Sequence, residues 1–139
     1  LFSVDYQPIP GTDPVQVTTP AIDYLDRILP EFLEPPLAKD SRIIFCAAVD
    51  RNGWLPVHNR KYSQPQRQGD PVWNTANARN RRIFDDRASL TAARNQRPHL
   101  LQAYLRDMGG GVKVAMREVD VPIQVQGRHW GAVRLAFKL

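Results

Sequence analysis

The chain has one cysteine, Cys46, so no intramolecular disulfide can form and nothing in the sequence marks an oxidising compartment. It has only three histidines, His58, His99 and His129, and they are not spaced as a local metal motif. No apolar run approaches the roughly 20 residues a membrane-spanning helix needs, and no signal peptide is expected. No serine, histidine and acid fall into the spacing of a nucleophilic triad. The adjacent acids Asp85 and Asp86 would point about 100° apart on a helix and could not converge on one bond, so no enzymatic activity is expected. Neither an aromatic stacking platform nor a helix-turn-helix pattern accompanies the basic residues, which argues against nucleic acid as a partner.

What is present fits one α+β domain. At 139 residues the chain has the size of a single core. Arg42–Asn59 reads as a buried strand, a tight Asn52-Gly53 turn and a returning strand, because both turn residues tolerate the positive φ of a two-residue primed turn. Cys46, in the apolar first strand, is expected to be a buried structural thiol. His99–Leu105 reads as a third strand, closed by Gly109-Gly110-Gly111. Val112, Val114 and Met116 lie on even positions and Val119, Val121, Ile123 and Val125 on odd ones, so a bulge is predicted near Arg117-Glu118. After Gln126-Gly127, Val133, Leu135 and Phe137 share a face with His129 and Gly131, while Trp130, Arg134 and Lys138 point the other way.

Ahead of the strands, Ile22, Leu25, Ile28, Leu29, Phe32 and Leu33 make a helical stripe, with Thr18 or Thr19 as cap and Pro20 in the first turn. Pro30 should kink this helix and Pro35-Pro36 should stop it. Residues 1–17, punctuated by Pro8, Pro10, Gly11 and Pro14, read as an extended leader, loosely ordered unless packed on the helix or a partner. Residues 18–139 form the domain proper. Short helices are expected between Trp73 and Asn95. The resulting order predicts about five antiparallel strands with an N-terminal helix and short connecting helices, as in PAS-like or single-Cache-like domains.

Charge is concentrated in the connection. From Arg60 to Arg97 nine basic residues face three Asp, while the whole chain is only +5. One reading is a solvated face; the sharper one is that an arginine holds an anion through paired N–H donors. Arg81 and Arg82 precede Ile83-Phe84, so on a helical turn one would face inward and clamp an anion while the other met Asp85 or Asp86. His58 and Asn59 end the second strand beside Tyr62, where the chain leaves the sheet; they either cap the strand or contact a ligand. Gln102 and Tyr104 share one face of the third strand, opposite Leu101, Ala103 and Leu105, and could present polar tips to a pocket. His129 is either a core histidine bonded to a backbone carbonyl or a ligand contact, and Trp130 is expected to pack on the N-terminal helix or a second subunit.

Four ordered blocks carry a resemblance: Ala48–Pro65, Asn80–Arg87, Leu100–Gly109, and Val121–Ile123 through Gly127–Gly131. Together they resemble a sensory segment of bacterial methyl-accepting chemotaxis proteins, over about Pro20 to Leu139. The resemblance implies a module whose ligand occupancy alters a receptor's signalling to its histidine kinase. It also implies a place in the cytoplasmic part of an inner-membrane-associated receptor, with the periplasmic side as the alternative. The chemotaxis signalling hairpin is not in this sequence. Covalent haem, which some chemoreceptor sensors carry through Cys-x-x-Cys-His, is excluded by the single cysteine, and no cofactor is expected. The expected partners are a small organic anion, carboxylate in type, and the rest of the receptor. The rival expectation is a ligand-free interaction module that forms a homodimer through the N-terminal helix or docks onto receptor partners with its basic face.

Overall fold

The computed structural model describes residues 1–138. The leader is extended and packed: β1 (Gln7–Pro8) pairs with β2 (Val17–Thr18), Phe2 and Tyr6 lie against the core, and the Tyr6 hydroxyl bonds Asp50. The helical stripe becomes three short helices, α1 (Ile22–Ile28), α2 (Pro30–Leu33) and α3 (Pro35–Lys39). Pro35-Pro36 therefore starts a helix where a stop was expected. Pro30 and Pro35 each stand at a first helical position, where a missing N–H costs nothing and φ is already set. Thr19 accepts from the Ala21 N–H just ahead of α1. Leu25 and Leu33 are buried by the stripe, but Phe32 is left exposed.

The main sheet is antiparallel and has four strands in the order β3 (Ile43–Asp50), β8 (Arg128–Phe137), β7 (Lys113–Val125), β6 (Leu100–Asp107). The fold is thus α+β and antiparallel as expected, but among the described residues its eight strands form three separate sheets in place of one sheet of about five. The returning half of the expected hairpin, β4 (Trp54–Leu55), leaves β3 and pairs with β5 (Arg82–Ile83). The turn explains this. Gly53 has positive φ but Asn52 does not, and the Asp50 carboxylate accepts from the N–H groups of Asn52 and Trp54. The turn is centred on Arg51-Asn52 and closed by the Gly53 N–H on the Asp50 carbonyl; neither central residue has positive φ, and an unprimed turn splays the strands on either side of it. Gly53 is also obligatory on space, since a Cβ there would lie 2.0 Å from the Phe84 carbonyl oxygen. The last strand, β8, takes the place beside β3, with Ala48 opposite Val133.

β7 runs without a break through Arg117-Glu118, where a bulge was predicted. The irregularity lies where Ile123 pairs with Gly131 and Gln124 with His129, leaving Trp130 as the extra residue of β8. It turns Trp130 onto the face of Val133 and Leu135, the opposite of the strict alternation expected, and into the cluster with Leu25, Leu33 and Cys46. The predicted parity change failed because it assumed apolar residues inward. Glu118 and Asp120, on the even face with Met116, are the fully buried ones.

The sheet thus has two lined faces. On one, Cys46, Ala48, Val133 and Leu135 meet α1 to α3. On the other, Phe45, Ala47, Val49, Ala132 and Ala136 meet Leu55, Phe84 and Ala93 of α5 (Arg87–Arg94). A one-turn 3-10 helix (Arg60–Tyr62) and α4 (Pro71–Asn77) complete the connection from β4 to β5. Gly131 sits where β3 crosses closest: a Cβ there would lie 1.8 Å from the Val49 carbonyl oxygen. Among the described residues, no helix is long and apolar enough to cross a membrane.

Candidate functional site

Between the second face of the sheet and the β5–α5 connection lies a cavity of about 350 Å³, within the range of small-molecule sites. Its wall combines the apolar bodies of Phe45, Leu55 and Phe84 with four arginines, Arg79, Arg82, Arg106 and Arg134, together with His58 and Tyr104. Strand alternation accounts for most of this. Gln102, Tyr104 and Arg106 share one face of β6, and Ala132, Arg134 and Ala136 share the facing side of β8. Arg82 arrives on β5, which is strand and not the helical turn expected, and Arg79 on the bend that follows α4.

The arginines are held in different ways. Arg134 is buried and bonded to both oxygens of Glu118, at 2.8 Å each, and to the Ser89 hydroxyl at 2.8 Å. Ser89 in turn donates to Asp86, which caps α5. Arg79 donates to two backbone carbonyls, Thr75 and Asp107. Arg106 is 4% exposed, with its guanidinium 4.8 Å from the Phe45 ring centroid and 4.5 Å from that of Tyr62. Arg82 stacks 4.6 Å from the Phe84 ring. Stacking engages a guanidinium's face and leaves its N–H edge free. One buried nitrogen of Arg82 (Nη1) and one of Arg106 (Nη2) have no hydrogen-bond partner among the described residues. Nor does any described carboxylate pair with Arg79, Arg82 or Arg106 at ion-pair distance.

The electrostatics follow from that imbalance. Burial, then the charges of Arg106 and Arg82, push Arg79 down to about 9, and burial lowers Arg82. Arg79 remains cationic at neutral pH. His58 is pushed well below the ordinary imidazole value, first by burial and then by Arg106, Arg79 and Arg134. It is neutral, and its Nδ1 accepts from the Asn59 N–H, which leaves the proton on Nε2. Tyr104 is a neutral phenol, raised above its usual value by burial and the Glu118 charge. Behind Arg134, burial and the neighbouring Glu118 raise Asp120 far above the ordinary carboxylate range, while Arg134 keeps Glu118 ionised.

Of the eight residues the sequence nominated, His58, Arg82 and Tyr104 line this cavity. Tyr62 stands behind it, edge-on to His58 and under Arg106. Gln102 lies on the same face but is engaged with the Ala88 carbonyl and Asp120. Asn59 is a structural clamp: its side chain accepts from the Cys46 N–H and donates to the Leu33 carbonyl and Glu34. Arg81 points elsewhere, pairing with Asp26 and the Pro56 carbonyl in a separate cleft of about 260 Å³. His129 is away from the cavity, at the β8 bulge, bonded to the carbonyl of Gly131. Sequence reasoning missed Arg79, Arg106, Arg134 and the two buried acids. The one available signal was Ala132-Arg134-Ala136, small residues flanking a long cation on a strand whose other parity is already apolar.

This chain matches no protein-family model, no curated protein and no solved structure.

Proposed function

We propose that this is the ligand-binding sensor domain of a chemotaxis receptor, PAS- or Cache-like in build, that takes a small organic anion of the carboxylate class into the arginine-lined cavity. The observation that carries the reading is the pair of buried guanidinium nitrogens, on Arg82 and Arg106, that no group among the described residues satisfies. A buried donor without a partner costs about 1–3 kcal/mol and more when charged, and a bound anion would recover it. The resemblance of Ala48–Pro65 and the later blocks to chemoreceptor sensory segments supplies the setting. Occupancy would bias the arrangement of β5 and α5 by the difference in affinity between two states, and so the kinase signal. On this reading the domain is a non-catalytic part of the cytoplasmic region of an inner-membrane-associated receptor.

The test is a thermal-shift screen of carboxylates, amino acids, phosphates and purines. A ligand at 100 times its Kd adds about 2.7 kcal/mol, roughly 9 °C for a chain of this length. A saturable shift that Arg82→Ala abolishes and the exposed-site variant Arg117→Ala keeps supports the reading; a shift untouched by Arg82→Ala contradicts it. A second reading rests on the exposed Leu101, Leu105 and Val121 on the outer face of β6 and β7. It makes the domain an interaction module, and predicts dimerisation that ignores every ligand, measured as solution mass.

A further inference from the structure

We infer that the ligand is a dianion, specifically a short linear dicarboxylate, one carboxylate held by the Arg106 fork and the other by Arg82, with Arg79 on the same cavity wall. The inference rests on the proposed sensor reading and narrows its ligand.

Three observations carry it. The first is that the two unsatisfied nitrogens belong to different residues on different elements, β6 and β5. Arg106 is seated between Phe45 and Tyr62, and Arg82 on Phe84, so the two forks have separate aromatic seats. The second is a count of charge. Arg134 is neutralised by Glu118, but Arg79, Arg82 and Arg106 have no ion-pair partner among the described residues. The acids on the cavity wall, Asp85, Asp86 and Asp107, are all solvent-exposed; Asp86 caps α5, and Asp107, whose charge reaches Arg79 and Arg82, accepts from the Gly109 N–H in the turn after β6. A single carboxylate would leave at least one of these guanidinium groups without an ion-pair partner. Arg79 lines the same cavity as both forks.

The third concerns which anion. Phosphoryl groups are commonly cradled by backbone N–H groups at a helix start. The α5 start borders this cavity at Asp86 and Ser89, but its own Asp86 carboxylate already takes the Ser89 N–H. The donors that remain are planar guanidinium edges, which match carboxylates. The apolar wall of Phe45, Leu55 and Phe84 fits a methylene link between the acids better than a hydroxyl-rich one.

The experiment is isothermal titration of the folded domain with the linear dicarboxylates from malonate to adipate, against monocarboxylates of equal carbon number and inorganic phosphate. One dicarboxylate is expected to bind at least about tenfold more tightly than its matched monocarboxylate, the worth of one charge-assisted pair. Arg82→Gln and Arg106→Gln should each erase that ratio, because either leaves a one-acid site, and exposed Arg117→Gln should keep it. If buried Arg106→Gln fails a circular-dichroism check of folding, the half-buried Arg82→Gln decides alone. Equal affinity for mono- and dicarboxylates, or a ratio that Arg82→Gln leaves intact, overturns the dianion while the anion-sensor reading stands. Phosphate binding tighter than any dicarboxylate overturns the carboxylate assignment only. No anion binding at all overturns both readings.

Discussion

Glu118 and Asp120 share one cation, and that predicts an asymmetry between two seemingly equivalent acids. Both are fully buried on the cavity face of β7. Glu118 takes Arg134 by both oxygens, whereas Asp120 Oδ1 is 4.0 Å from Arg134 Nε and has no hydrogen bond. One guanidinium cannot hold two carboxylates ionised in a closed interior, so Asp120 carries a proton. Asp120→Asn therefore exchanges one neutral group for another and should cost no more than about 1 kcal/mol. Glu118→Gln removes the anion facing Arg134. Asp120 can then ionise and take its place, which limits the cost to about 1–2 kcal/mol. The double variant strands Arg134 and should cost about 3–5 kcal/mol, more than the singles combined. With an unfolding entropy of roughly 0.3 kcal/mol per degree for this length, Tm falls by roughly 10–17 °C in the double variant and by about 3 °C or less in Asp120→Asn. Urea unfolding at pH 7 with calorimetry reads all three. Strict additivity, or an Asp120→Asn as costly as Glu118→Gln, would refute the shared-cation account. The pH dependence gives a second check. Because the folded Asp120 holds its proton above the ordinary value of about 3.9, its contribution is complete below that value and is lost as pH rises through the raised one. Asp120→Asn should remove that decline.

His58 is depressed in the folded state, so its contribution is present above about pH 6.5 and lost as pH falls; His58→Phe should flatten the acid limb of the stability curve between pH 7 and 5, read by denaturant midpoint at each pH. Asn59→Ala leaves the Cys46 N–H and the Leu33 carbonyl without partners, at about 1–3 kcal/mol each. Anion affinity of the folded fraction should be unchanged, and a specific loss of binding with normal stability would show Asn59 to be a ligand contact after all. Gly131→Ala would drive a Cβ into the Val49 carbonyl; loss of the cooperative thermal transition is expected, and a wild-type Tm would mean that β3 and β8 separate more easily than their register implies.

Local chemistry made much of the chain legible. Strand identity for Ile43–Asp50, Leu100–Asp107 and Arg128–Phe137 follows from apolar and β-branched runs between Gly-containing turns, and the stripe from Ile22 to Leu33 follows from helical spacing. The prolines within and after that stripe were legible as interruptions, but whether each one stops a helix or starts the next depends on the direction in which the chain is then pulled. At the site, Arg82 was nominated by its place before Ile83-Phe84, Tyr104 by the polar tip it would present, and His58 by its place at the end of the second strand.

Sequence alone determined that the chain is α+β with antiparallel strands and an excess of arginine in the connection between them, because periodicity and composition act over a few residues. Only the tertiary structure decided which of those arginines lack a counter-ion. Arg81 and Arg82 are neighbours, yet one meets Asp26 and the other keeps a buried nitrogen unsatisfied. The assignment of Arg134 to Glu118 depends on the register of β7 against β8, and that of Arg106 to Phe45 and Tyr62 on where β3 and the turn after β4 come to lie. Charge pairing is a property of distance, and for residues 16 to 61 positions apart it is the folded path of the chain that sets the distance.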